Sequence, residues 1–275
     1  MINKFTNILA LIDLPEDPDI CFRAAIETAN RFESNLHILY RSRTEGTSLS
    51  NIQDDYSDIK IWTLQNTYRS LLDSRFFLHI HIAKERTKRI ALWYAKKNKI
   101  DLVLIWKRDD LLLSAPITMI QSNLLSSILA CPVLSLPRQA GIQDLKNIIL
   151  PVKGSLPAGK LMLAIRLAKI FKAKVHLVGI VNNGKTESED HFFFKACQLL
   201  RNNTNIDVEC KMLKGRSVAR ATLQYGIKVN SGLILTCTGI RLLVRSVACL
   251  LLTRPVSAVA RIPVMTVPVE QLNVE

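Results

Sequence analysis

The sequence predicts an α/β protein made of two tandem domains, each a parallel sheet flanked by helices. Three observations lead to this prediction. The chain repeats itself, short β-branched runs alternate with amphipathic helical stretches, and several predicted strands are apolar along their whole length. Strands of that last kind are typical of a parallel sheet that helices cover on both faces.

Three segments of the first half return in the same order in the second half. Asn7–Asp13 returns as Asn147–Lys153, Phe32–Leu39 as Phe171–Val178, and Cys131–Pro137 as Ile262–Pro268. A solenoid would show a period of ~20–50 residues, so this longer period indicates duplication of a whole domain. We therefore predict domain 1 at residues 1–140 and domain 2 at residues 141–275.

Each half is predicted to alternate strands with helices. In the first half we predict strands at 6–13, 35–41, 76–82, 101–106 and 132–136, and helices at 19–33, 56–73, 86–98 and about 117–130. In the second half we predict strands at 146–152, 174–181, 205–213, 232–237 and 263–267. Pro132 and Pro263 open their strands, a position where a missing N–H does little harm.

Composition indicates a folded, cytoplasmic protein. Residues 1–5 lead directly into a strand rather than into a signal peptide, and no apolar run approaches the ~20 residues of a membrane span. We therefore expect neither secretion nor membrane integration. The six cysteines are dispersed and form no CxxC pair, so we expect reduced and mostly buried thiols.

The positive charge is concentrated in the second half. Residues 1–140 hold 18 Lys and Arg against 15 Asp and Glu, whereas residues 141–275 hold 19 against 8. Either this is a solvated basic surface, or domain 2 engages an anionic ligand, a lipid surface or nucleic acid. Nucleic-acid binding is not expected, because aromatic side chains on which bases could stack are only 6% of the chain.

The repeated motifs resemble those of the universal stress proteins, in particular the tandem two-domain type. The resemblance rests on the β1 strand ending in Asp13, the segment Phe32–Leu39 and the final strand at Cys131–Leu134, and it covers nearly the whole chain. It implies a five-stranded sheet of order 3-2-1-4-5 in each domain. It also implies an internal pseudo-dimer joined through the last strands, while a homodimer of the whole chain is left open.

ATP-binding members of that family carry an Asp after β1 and, after β4, the pattern G-x2-G-x9-G-(S/T). Glycines there let backbone N–H groups close on phosphate. In the first half Asp13 matches, but Trp106 and Asp109 stand at the first two glycine positions. Asp109 and Asp110 would also repel phosphate. We therefore expect no ATP in domain 1.

The second half departs from the pattern in a different way. Gly154 and Ser155 fit the turn after the first strand of this half, but Lys153 replaces the Asp. Cys237 stands at the first glycine position, and Gly239 is one residue short of the second. Four cations could gather near the strand ends and hold an anion other than ATP: Lys153, Arg241, Arg245 and Arg254.

Apolar side chains dominate the segment after the fourth strand of each half, at Leu111–Leu113 and at Leu250–Leu252. They are interpreted as core or domain-interface packing, with a pocket for an apolar ligand as the alternative. The predicted helix at 86–98 carries an apolar stripe formed by Ile90, Ala91 and residues 93–95. Four basic residues beside this stripe are interpreted as a solvated face: Lys88, Arg89, Lys96 and Lys99.

The histidines are interpreted as structural. His79 and His81 should share one face of an edge strand, without further ligands for a metal. His37 and His176 occupy equivalent strand positions, and no catalytic motif is present.

The resemblance implies a stress-response protein, and the substituted glycine positions indicate degenerate ATP sites in both halves. We therefore expect a non-enzymatic protein that acts by binding a ligand or partner, with no cofactor and no metal. The alternatives are an ATP-binding, weakly hydrolysing protein, and a basic anion-, lipid- or nucleic-acid-binding module formed by domain 2.

Overall fold

The computed structural model describes residues 5–12, 18–40, 53–83, 88–106, 114–137, 145–152, 158–181, 188–203, 205–215, 217–237 and 262–268. The elements of the first half are β1 Asn7–Ile12, α1 Pro18–Phe32, β2 Asn35–Tyr40, α2 Gln53–Arg69, β3 Leu78–Ile82, α3 Lys88–Lys97, β4 Leu102–Trp106, α4 Ser114–Leu129 and β5 Val133–Leu136. Those of the second half are β6 Asn147–Val152, α5 Ala158–Phe171, β7 Lys174–Val181, α6 Ser188–Asn203, β8 Val208–Lys214, α7 Val218–Lys228, β9 Leu233–Cys237 and β10 Val264–Val267.

All these strands lie in one sheet, in the order β3-β2-β1-β4-β5-β10-β9-β6-β7-β8. Each half therefore has the predicted order 3-2-1-4-5, and every pairing within a half is parallel. The α/β fold class and the tandem organisation are confirmed. The proposed boundary at residue 140 falls in residues 138–144, which lie outside the described part of the chain.

The two halves meet through their last strands, as predicted. β5 and β10 pair antiparallel, with Leu134 opposite Met265, and both side chains are buried. Ser126, on α4 of the first half, donates to the Cys131 carbonyl at 2.8 Å and lies 3.3 Å from the Thr266 carbonyl of the second half. A side chain of one half thus also binds the backbone of the other.

One face of the sheet carries a single core that runs through both halves. Its apolar side chains come from α1, α2, α5 and α6 and from the inward positions of the strands. Phe32 at the end of α1 packs edge-on against Phe5 and, across the halves, against Phe171 at the end of α5, with ring centroids 5.1 and 5.7 Å apart. On the opposite face each half has its own smaller cluster, one under α3 and one under α7.

Equivalent helices end in the same way in the two halves. α1 is followed by Glu33 at φ 52°, and α5 by Lys172 at φ 50°. The amide N–H groups of Ser34 and Ala173 then return to the carbonyls of Ala29 and Ala168, at 3.0 and 2.9 Å. Such left-handed residues close the helix C-terminus, usually with glycine. Within the described residues no helix is both long enough and apolar enough to cross a bilayer.

Candidate functional site

The most informative site lies at the carboxyl ends of the central strands of each half. In the first half β1 lies between β2 and β4, so the chain crosses to one side of β1 and later to the other. In the second half β6 lies between β7 and β9 in the same way. Open α/β sheets bind ligands beyond the strand ends at such a reversal. Ile12 and Trp106 mark this edge in the first half, and Val152 and Cys237 mark it in the second.

The site residues proposed from the sequence lie outside the described residues. They are Asp13, Lys153, Gly154, Ser155, Gly239, Arg241, Arg245 and Arg254. The apolar segments Leu111–Leu113 and Leu250–Leu252 also lie outside the described residues. These assignments stay predictions, so the described site consists of the strand ends and the helices beneath them.

In the first half the end of β4 is filled by the indole of Trp106. This side chain is 8% exposed and belongs to the same buried cluster as Ile12, Cys21 and Phe22. Its Nε1–H is buried and has no hydrogen-bond partner among the described residues. Such a group costs free energy unless a partner reaches it. The indole occupies the position that the family pattern gives to its first glycine.

In the second half the equivalent edge contains a buried lysine that the sequence interpretation missed. Lys160, near the start of α5, is 8% exposed, and its Nζ donates to the Pro151 carbonyl of β6 at 2.9 Å. β9 pairs with β6, and Cys237 ends β9 three residues beyond the pair Ile149–Ile234, as Val152 ends β6, so the Cys237 thiol neighbours this amine. Among the described residues no carboxylate forms an ion pair with it. Burial lowers the pKa of Lys160, and the neighbouring thiol opposes that effect.

The helix register explains why this lysine points inward. The other buried positions of α5 include Leu163, Ala164, Leu167 and Ala168, which follow Lys160 at the spacing of one helix face. Lys160 therefore occupies a core position of an otherwise apolar stripe. This spacing was the signal in the sequence that could have identified it.

The two halves differ at these paired positions. Cys21 of α1 and Lys160 of α5 are equivalent positions of the repeat, because each lies eleven residues before the end of its helix, at Phe32 and Phe171. Trp106 and Cys237 are likewise equivalent, as the last residues of β4 and β9. The first half thus buries an uncharged pair at this edge, Cys21 and Trp106. The second half instead places a cation beside a half-buried thiol.

The predicted histidine positions form buried polar chains rather than a metal site. His37 Nδ1 lies 3.1 Å from the Tyr94 hydroxyl, and His176 Nδ1 lies 3.0 Å from that of Tyr225. The strand neighbours opposite them differ: His79 faces His37, whereas Glu209 faces His176 and accepts from Tyr225 at 3.1 Å.

The surroundings of these histidines set their charge. Burial, with a smaller contribution from His79, lowers the pKa of His37 to about 4. Burial also lowers the pKa of His176, but Glu209 opposes that shift. His79 and His81 share the exposed face of β3, as expected. In the described part of the chain no three His, Cys, Asp or Glu side chains are grouped to hold a metal ion.

One residue of α3 corrects the sequence interpretation. Tyr94 and Ala95 are buried, but Trp93 is 59% exposed and therefore does not belong to the apolar stripe. Lys97 lies over its ring, 4.8 Å from the centroid. Trp93 points away because the buried positions Ala91, Tyr94 and Ala95 already define the inward face. Arg89, Lys96 and Lys99 are exposed, as predicted for a solvated face.

Five cysteines lie in the described part of the chain, and no disulfide joins any two of them. Cys21, Cys131 and Cys197 are buried, whereas Cys210 and Cys237 are half-buried. A shallow cleft lined by Asn30 and residues 69–74 lies at the opposite edge of the sheet, beside the start of β3. It adjoins none of the strand ends described above.

Structural comparison resolves the fold family. No protein-family model matches the sequence, and no curated protein matches it. A universal stress protein from Archaeoglobus fulgidus DSM 4304 matches with a TM-score of 0.60 at 13% identity, over 98% of each chain. The chain has the fold of a tandem universal stress protein.

Two further solved structures share this fold. A functionally unknown protein from Pseudomonas aeruginosa PAO1 matches with a TM-score of 0.65 at 15% identity, over 97% of this chain and 93% of that one. The cytoplasmic domain of a prokaryotic cation chloride cotransporter matches with a TM-score of 0.50 at 13% identity, over 95% and 94%. The fold therefore occurs in proteins of different kinds, and function has to be argued from the site.

Proposed function

We propose that this protein is a tandem universal stress protein that acts in the cytoplasm by binding a ligand or partner, without catalysis, and that its ATP site is degenerate in both halves. The observation that supports the proposal is that a side chain stands at each of the two strand ends, a buried indole in domain 1 and a half-buried thiol in domain 2. Trp106 and Cys237 end β4 and β9, where ATP-binding members of the family carry their first glycine.

In domain 1 the obstacle to phosphate is steric. A phosphate loop works because backbone N–H groups approach the oxygens closely, which requires that no side chain stands between them. The indole of Trp106 is instead packed into the core that contains Phe22 and Leu136. A nucleotide would have to displace a large apolar ring from that core, at a cost of several kcal/mol.

In domain 2 the change is chemical as well as steric. Cys237 brings a thiol to the strand end, and Lys160 brings a cation to the floor beneath it. An ammonium suits an anion, but its position beneath the strand end does not replace the backbone cradle that the glycines supply. This edge therefore differs from the family's nucleotide site in both shape and charge.

Native mass spectrometry of gently purified protein tests the proposal. We expect the spectrum to show no co-purified nucleotide and no stoichiometric adduct when ATP and Mg²⁺ are added. Inorganic triphosphate at the same concentration controls for non-specific adducts on the basic surface. A saturating ATP adduct that triphosphate does not reproduce would restore the ATP-binding alternative, and release of ADP from it would make the protein an enzyme.

A second candidate function is the binding of a small anion by domain 2. It is favoured by the 19 Lys and Arg against 8 Asp and Glu of residues 141–275, together with the buried ammonium of Lys160 at the strand ends. Charge-driven binding to a lipid surface or nucleic acid should weaken steeply as salt rises. Binding of an anion in a buried site should depend less on salt and should be lost in Lys160→Met.

A further inference from the structure

A lysine amine and a cysteine thiol lie side by side at the domain 2 strand ends, because Lys160 binds the end of β6 and Cys237 ends the neighbouring strand β9. This pair is a chemical site in its own right. Lys160 comes from α5 and Cys237 from β9, so the pair joins a helix to the sheet beneath it. Lys160 is nearly buried, and Cys237 is half-buried. We propose that this pair is a peroxide-responsive modification site, at which oxidation joins Cys237 Sγ to Lys160 Nζ in a reversible sulfenamide.

Two features of the structure hold the two groups together. Lys160 Nζ is fixed from one side by its 2.9 Å hydrogen bond to the Pro151 carbonyl of β6. β6 and β9 are neighbouring strands, with Ile149 opposite Ile234, so the ends of both strands lie at the same level. The amine is therefore held beside the sulfur without a flexible segment between them. Reaction of groups fixed in contact avoids most of the entropy cost of bringing them together.

The chemistry needs one peroxide and no other reactant. The Cys237 thiolate attacks the peroxide O–O bond, which gives the sulfenic acid and releases water once a proton is taken up. The neutral amine of Lys160 then attacks the sulfur and displaces the hydroxyl as water, so an S–N bond replaces the S–O bond. In total one thiol, one amine and one hydrogen peroxide give one sulfenamide and two waters. Sulfur is oxidised, and peroxide oxygen is reduced.

The environment favours the second step at this site. An amine attacks only when it is unprotonated, and burial lowers the pKa of Lys160. Two molecules of an added thiol would reverse the reaction, restoring the cysteine and the lysine and forming one disulfide. In the crosslinked state the ammonium charge is lost, so the domain 2 edge becomes less attractive to anions. The inference is independent of whether ATP binds.

One other pair of sulfur groups offers an internal comparison. Cys197 on α6 is buried in the shared core, and Cys210 on β8 packs against that core and neighbours Cys197. Burial raises the pKa of Cys197 to about 12, which leaves it almost entirely as the unreactive thiol. Oxidation of this pair would give a disulfide, whose mass change equals that of the sulfenamide. The experiment must therefore separate the two by position.

The test treats the full-length Cys210→Ser variant with a small excess of hydrogen peroxide, quenches with catalase and maps peptides by mass spectrometry. We expect a loss of about 2 Da and a linked pair of peptides that contain Lys160 and Cys237, both reversed by dithiothreitol. Adding Cys237→Ser should abolish the link. Lys160→Arg keeps the charge but lacks a nucleophilic amine, so we expect no link and further oxidation of Cys237 to the sulfinic acid.

Three results would overturn the inference. The first is oxidation of Cys237 to the sulfinic acid at equal rates whether Lys160 or arginine is present. The second is a link that survives in Lys160→Arg. The third is a Cys237 that stays unmodified at a peroxide dose that oxidises the half-buried Cys210 of the wild-type chain. Far-UV circular dichroism of each variant shows that it is folded, and Cys237→Ser is the mildest change if Lys160→Arg fails to fold.

Discussion

At the scale of single residues, the molecule departs from an ordinary core at a few buried polar groups. Trp106 and His37 each bury a ring nitrogen that finds no hydrogen-bond partner in the part of the chain that the structure describes. Lys160 buries a cation whose described contacts are a backbone carbonyl and a thiol. Buried polar groups are usually satisfied, so each of these has a measurable cost. Two predictions follow from those costs.

The first concerns the indole N–H of Trp106. Replacing Trp106 with Phe keeps most of the buried ring and removes the unsatisfied donor, so we expect the free energy of unfolding to change by less than about 1 kcal/mol. Trp106→Ala should cost about 3–5 kcal/mol, because it leaves a cavity. Urea denaturation measures both. If Phe proves as destabilising as Ala, the N–H has an important partner that this account lacks. Trp93→Phe, on the exposed surface, is the matched control.

The second concerns pH and His37. Its pKa is about 4 in the folded protein, below the ordinary 6.5, so between those values the unfolded chain binds more protons. The contribution of His37 to stability is therefore complete above pH 6.5 and is lost as the pH falls toward 4. Because His81 and His176 are shifted in the same direction, comparison with His37→Gln isolates one group. Equal slopes of stability against pH for both proteins would contradict the assignment.

At the scale of elements, the repeat is visible in how each helix ends as well as in how each strand pairs. Glu33 and Lys172 close equivalent helices in the left-handed conformation, and Lys99 and Asn230 follow equivalent helices at φ 48° and 49°. The turn geometry has been kept in both halves although the residues differ. Neither half uses glycine at these positions, so each stores a modest conformational cost.

This cost predicts a stabilising substitution. Replacing Lys172 with Gly should raise the free energy of unfolding by about 0.5–1 kcal/mol, because glycine adopts positive φ without a Cβ clash. The same change at the exposed Lys169, inside the last turn of α5, should instead lower it by about 0.5–1 kcal/mol. Thermal denaturation of the two variants checks the pair. If Lys172→Gly lowered the free energy of unfolding instead, the lysine side chain would stabilise the fold by more than its positive φ destabilises it.

At the scale of the whole molecule, the two halves form one sheet and share one core. Three features cross the boundary between the halves: the pairing of β5 with β10, the core formed by α1, α2, α5 and α6, and the contact between Phe32 and Phe171. Separating the halves would expose the buried Leu134 and Met265 to water. We therefore expect the halves to unfold together rather than in sequence.

The distribution of tryptophan makes this testable without labels. All three tryptophans, at positions 62, 93 and 106, lie in the first half, so fluorescence reports that half while far-UV circular dichroism reports both. We expect the two unfolding transitions to coincide. Met265→Asp places a carboxylate in the buried junction and should lower or split both transitions, whereas Met162→Asp, at a 55% exposed position, should not. Separate transitions in the wild type would contradict the single core.

Most of the fold could be predicted from the sequence, because repetition and apolar strand runs are strong signals. The strands, the order 3-2-1-4-5 and the pairing of the last strands are all confirmed. The site was harder to predict. Lys160 was missed because only its register with Leu163, Ala164 and Leu167 turns it inward, and Trp93 was placed inside because an aromatic beside buried neighbours is ambiguous. The predicted nucleotide and anion residues, from Asp13 to Arg254, stay predictions.

The central claim is that side chains at the strand ends have replaced the nucleotide site in both halves. Equilibrium dialysis of the full-length protein against ATP with Mg²⁺ tests it most directly. No saturable binding is expected up to about 1 mM ATP, because a dissociation constant of 1 mM corresponds to a binding free energy of only about −4 kcal/mol. Saturable binding well below that concentration would contradict the claim. If one ATP bound per chain and Trp106→Ala did not change its affinity, the site would lie in domain 2. If two ATP molecules bound per chain, neither strand end would be blocked.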